Sequence, residues 1–114
     1  MNLAEIIDSL ELTVLTEKKD FSVIQPTGGY AADLLSCVMT GAPHNGLWLT
    51  LQAHGNIVAV AALLELSAII ITENAIPDMA TISRANQEGV ILLSSVKNTF
   101  TVAGMLWELG IRSE

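Results

Sequence analysis

The chain carries one cysteine, five basic side chains and two histidines in 114 residues, and each shortage removes a class of function. A lone cysteine permits neither an internal disulfide framework nor a cluster of thiolate metal ligands. Cys37 stands in the apolar stretch 34–39, which reads as a packed, inert thiol because a reactive one needs exposure and a lowered pKa. Five Lys and Arg against twelve Asp and Glu leave a formal charge of -7. Such a field repels phosphate backbones, so no nucleic-acid partner is expected. The longest apolar run, residues 57–64, stops well short of the roughly 20 residues of a bilayer crossing. With no positively charged leader and cleavage site at its start, the chain reads as a cytoplasmic protein without a membrane partner. Neither His-x-x-His nor His-Glu-x-x-His spacing occurs and the carboxylates are scattered, so no metal site and no cofactor is expected.

What is present is largely apolar: 51% of residues are hydrophobic and only 15% charged, against about 25% charged in an ordinary soluble domain. The length allows one domain, residues 1–114, with one modest core. Asn2 with Glu5 three residues on is a capping box opening a short helix. Strands are expected at 12–15 and 21–25 around the charged loop 17–20, and Pro26-Thr27-Gly28-Gly29 then delivers the chain into a helix over 30–39. Strand 47–51, helix 57–66, the almost wholly apolar central strand 68–72, helix 78–88, strand 90–94 and helix 98–109 follow in alternation. Short polar connections between strands and helices predict an α/β domain, a mostly parallel sheet covered by helices. Residues 112–114 read as a loose tail.

In such sheets ligands meet the carboxyl ends of the strands, where amides at helix starts point outward. The residues expected there are Thr27, Gly28 and Gly29 after one strand, His54 and Asn56 after another, Thr72 after a third, and Ser94 with Lys97 after a fourth. Gly28-Gly29 either lowers the backbone onto a phosphate or carboxylate or is a turn needing two flexible positions, and Gly29→Val is strained if that position requires positive φ. Thr27 either caps the helix or contacts the ligand. His54 is chemically the best general base, but no nucleophile and orienting group accompany it in the sequence. His44 reads as exposed, Asp33 and Glu65 as capping, pairing or facing an interface, and Trp48, Phe100 and Trp107 as core or interface packing. Helix 57–66 is apolar on more than one face, with Glu65 its only charge. It is buried either inside the monomer or against a partner copy, through Ile57, Val58, Val60, Ala61 and Leu64.

Residues 27–39, opening Thr27-Gly28-Gly29-Tyr30, the strand Leu47-Trp48-Leu49-Thr50, the block His54-Gly55-Asn56-Ile57-Val58-Ala59-Val60-Ala61, and Ile69-Ile70-Ile71-Thr72 together resemble the DRTGG domain family. Gln25-Pro26 stand where the name-giving motif has aspartate and arginine, so whatever that pair contributes is absent. The resemblance implies a fold like the amino-terminal domain of HPr kinase/phosphorylase and a dimeric regulatory or sensory module, found alone or beside CBS domains. No P-loop occurs, so kinase activity is not implied. The expected function is a non-catalytic regulatory domain, a homodimer binding a small anionic metabolite or nucleotide at the strand-end rim. The alternatives are a protein-interaction module with a protein partner, and an enzyme acting on a phosphate-containing substrate.

Overall fold

A computed structural model describes residues 1–112. Helix α1 (Leu3–Leu10) opens on the expected capping box: the Asn2 side chain accepts from the Glu5 amide and the Glu5 side chain accepts from the Asn2 amide. Strand β1 (Thr13–Val14) follows, then a 3₁₀ turn (Phe21–Val23), β2 (Gly29–Ala31), α2 (Leu35–Gly41), β3 (Leu47–Thr50), α3 (Asn56–Leu64), β4 (Ala68–Ile71), α4 (Met79–Glu88), β5 (Leu92–Ser94) and α5 (Thr99–Glu108). The five strands form one sheet in the order β1-β5-β4-β3-β2; β2 to β5 run parallel, and β1 closes the β5 edge antiparallel. This is the α/β architecture expected, with β4 at its centre.

Side chains alternate across the pleat, so each strand feeds two cores. Leu47, Leu49, Ile70 and Leu93 face α1 and α5, together with Leu3, Ile6, Val102 and Leu106. Trp48, Ile69, Ile71 and Leu92 face the other way, together with Val38 of α2, Ile57, Val58 and Ala61 of α3, and Ala85 of α4. The sheet grows steadily from β2 to β5, and right-handed crossovers advancing in one direction place every intervening helix on the same face. After β5 the chain turns instead to the opposite face, where α5 joins α1.

Two expected elements are different. Residues 21–25 do not form a strand: Asp20 caps a 3₁₀ turn by accepting from the Ser22 amide, at 3.1 Å. The helix expected over 30–39 starts at Leu35, because Gly29–Ala31 pair in register with Leu47–Leu49 as an edge strand. Cys37 is exposed rather than packed, since Val38 is the residue α2 turns inward. Trp48 is fully buried with its Nε1 donating to the Ala32 carbonyl at 2.8 Å, but Phe100 and Trp107 are exposed, so of core and interface packing only the core alternative is overturned for them. Ser113 and Glu114 of the expected tail lie outside the described residues, and Arg112 is tied down: its carbonyl accepts from the Gly29 amide at 3.1 Å.

Candidate functional site

The reassignment of β2 divides the expected rim. Gly29 pairs with Leu47, the first residue of β3, so Thr27, Gly28 and Gly29 lie at the amino ends of the parallel strands, opposite the remaining candidates. Thr27 neither caps a helix nor stands free. Its hydroxyl donates to the His44 carbonyl at 2.5 Å and its amide to Asn45 at 3.1 Å, with His44 itself exposed. Gly29 does not adopt positive φ, which removes the strain expected of Gly29→Val. The close approach belongs to Gly28, where an added Cβ would lie 2.7 Å from the Arg112 carbonyl oxygen.

The carboxyl ends gather the other candidates. Asp33, after β2, accepts from the Thr50 hydroxyl at 2.8 Å and the Leu51 amide at 2.9 Å, and its carbonyl accepts from Gln52 at 2.6 Å, so it binds neighbouring strand ends together. Glu65 is the left-handed cap that ends α3. His54 and Asn56 are exposed where α3 begins. Across from them Asp78 caps α4, accepting from the Thr81 amide at 2.8 Å. Hydrogen bonds from the Thr81 side chain and amide, with a smaller contribution from the His54 charge, hold the Asp78 carboxyl below the usual carboxylate range. Thr72 is unavailable to a ligand, being fully buried with its hydroxyl 2.6 Å from that of Thr99. Ser94 is half-buried within β5.

Neighbouring strands β4 and β5 send their helices to opposite faces, α4 beside α3 and α5 beside α1. That divergence is the switch point at which open α/β sheets have a crevice. Here it is crossed by a turn whose two central residues, Glu73 and Asn74, both have positive φ (62° and 57°), an uncommon state for residues bearing a Cβ. The amides of Glu73 and Asn74 donate to the carbonyls of Lys97 and Ser95, at 2.8 and 3.1 Å, and the Glu73 carboxylate accepts from the Thr99 amide at 2.7 Å. An internal carboxylate thus occupies the amide end of α5, the position that suits an anion. Lys97 is half-buried at this opening, and the Phe100 side chain one turn later is 89% exposed.

A crown of apolar side chains follows the strand ends: Leu34, Leu51, Ile76, Met79, Val96 and Phe100 are all exposed. Of these, sequence reasoning singled out Phe100 alone, although apolar side chains inside short polar connections were the available signal. The expected interface residues Ile57, Val58, Val60 and Ala61 are instead buried against the chain's own sheet, with Leu64 partly buried in the same cluster; on α3 it is Leu63 that stays exposed. No group of three or more His, Cys, Asp or Glu able to hold a metal ion occurs among the described residues. No helix among them is long and apolar enough to cross a membrane.

A family model described as the DRTGG domain matches residues 37–109. The match takes in Leu47–Thr50 and residues 54–61 and begins after the Thr27–Gly29 segment. Among solved structures, the chain is similar to the CBS and DRTGG domains of the regulatory region of Clostridium perfringens pyrophosphatase, solved in complex with its activator diadenosine tetraphosphate. The TM-score is 0.75 at 18% sequence identity, over 91% of this chain and 45% of that one. The chain therefore spans less than half of that structure. No curated protein matches it.

Proposed function

The chain belongs to the DRTGG domain family, and from that membership we propose that it is a non-catalytic regulatory domain of the cytoplasm whose ligand is a nucleotide or another small phosphorylated metabolite. The reading rests on one observation: at the β4/β5 switch point the α5 amide end is held by a replaceable carboxylate, Glu73, between the half-buried Lys97 and the exposed Phe100. A phosphate takes the place of that carboxylate beside Lys97, and Phe100 with Ile76 gives a base an apolar surface. His54 and Asn56, at the start of α3, and Ser94, at the end of β5, stand at the same rim. The activator of the clostridial pyrophosphatase region, diadenosine tetraphosphate, supports the choice of ligand class.

Calorimetric titration with AMP, ATP and diadenosine tetraphosphate tests this. Saturable heat is expected, weakened about tenfold by Lys97→Ala and strengthened by Glu73→Gln, which removes the competing charge. Flat responses from a folded chain across the whole panel overturn the ligand assignment. The apolar crown favours a second reading, a protein-interaction module that pairs with its own copy through the rim, Leu34, Leu51, Ile76, Met79, Val96 and Phe100 being covered in the pair.

A further inference from the structure

Away from the rim, a hollow of about 190 Å³ opens between α5 and the edge strand β2. Its origin lies in the register. Gly29 and Ala31 pair with Leu47 and Leu49 and so share the α5 face, whereas Tyr30 pairs with Trp48 and points to the other. The outermost column of the sheet thus offers α5 one hydrogen atom and one methyl group, and α5 answers with Ala103. The buried Ile111 reaches over Gly29, its methyl 3.4 Å from where a Cβ would stand, and the space beyond it, between Ala31 and Ala103, is left unfilled. Leu49 and Leu106, both buried, close it from within, and the half-exposed Trp107 stands at its mouth.

The mouth also carries a charge. The Arg112 guanidinium lies 4.6 Å from the centroid of the Trp107 ring and donates to the Trp107 carbonyl. The Gly29 amide anchors the same residue by its backbone. Among the described residues Arg112 is the only charged one lining the hollow, in a chain whose net charge is -7. We infer that this hollow is a binding site for a small, flat, apolar carboxylate, with its hydrocarbon body between Ala103 and the Gly29–Ala31 edge and its carboxylate on Arg112. A cavity of roughly 150 Å³ admits benzene, so this one takes a single ring with a short acidic arm. A planar guanidinium suits the two carboxylate oxygens, and held over an indole it is already oriented before the ligand arrives. The long-range field of the acidic chain opposes any anion, so affinity here depends on Arg112. Its mouth at Trp107 is about two turns of α5 away from Phe100, and the proposal is independent of the rim reading.

Phenylacetate is the probe, titrated into the full chain labelled with nitrogen-15. The indole N–H of Trp107 is expected to shift saturably while that of Trp48, buried and bonded to Ala32, stays in place. Phenylacetamide, which lacks the charge, is expected to bind about tenfold more weakly. Ala103→Leu fills the hollow and abolishes the shift; Arg112→Gln abolishes the preference for acid over amide and keeps the test available should the first variant fail to fold. No Trp107 shift at millimolar phenylacetate, equal binding of the amide, or binding retained in a folded Ala103→Leu chain each overturns the proposal. Shifts confined to Lys97 and Phe100 overturn it too, and leave the rim reading standing.

Discussion

Gly28 and Gly29 are adjacent and do different work. At Gly28 an added Cβ meets a backbone oxygen at 2.7 Å, whereas at Gly29 it meets only the Ile111 methyl at 3.4 Å. Gly28→Ala is expected to destabilise the chain by about 1–3 kcal/mol in urea unfolding, because the Arg112 segment must move away from β2, and Gly29→Ala by well under that. Asp78 gives a prediction in pH. Its carboxyl is held below the ordinary range by Thr81 and His54, so its stabilising contribution is present at neutral pH and is lost as pH falls through the lowered value. The melting-temperature gap between wild type and Asp78→Ala is therefore expected to hold at neutral pH and to narrow only as pH falls below the ordinary carboxylate range of about 4. The Asn2 cap was read from the sequence, and Asp78 and Asn98 stand where helices were expected to begin, because such cap bonds reach only three residues along the chain. The exposure of Cys37 was not, because it depends on which side of α2 meets β3.

At the scale of elements, α3 shows how an apolar helix can mislead. Its composition allowed burial on a partner, yet Ile57, Val58, Val60 and Ala61 are covered by the sheet of the same chain. Ile57→Ala should cost about 2–5 kcal/mol at every protein concentration, and Leu63→Lys, at an exposed position, should stay within about 0.5 kcal/mol; denaturant midpoints in a dilution series separate these from an interface effect. β3 and β4 were legible as short, unbroken apolar runs bounded by polar residues, the pattern of strands buried on both faces. β2 was not. Three residues with a glycine among them have little strand signal of their own, and pairing with Leu47–Leu49 is what makes them a strand. The misplaced strand then carried Thr27, Gly28 and Gly29 to the wrong end of the sheet, so half of the expected rim was legible and half was not.

For the whole molecule, the apolar surplus has two destinations. Most of it fills the two cores flanking the sheet, and part of the remainder forms the crown at the carboxyl ends. The second reading, self-association through the crown, is testable at this scale. Light scattering across a dilution series should show a dimer, and Phe100→Asp with Met79→Lys should shift it to monomer without lowering the melting temperature of the monomer. A wild-type chain that stays monomeric at every concentration removes the pairing reading. The switch point behind Lys97 was invisible to sequence reasoning because it exists only once α5 is known to cross to the face opposite α4.

Strand β1 joins β5 through Thr13 opposite Ser94 and Val14 opposite Leu93. On a ribosome the first strand to emerge is thus made long before its partner, and the pairing with the largest separation along the chain is the slowest class to form. Until the sheet and α5 are made, α1 has no complete surface on which to lay Leu3, Ile6 and Leu10, and those side chains stay partly uncovered.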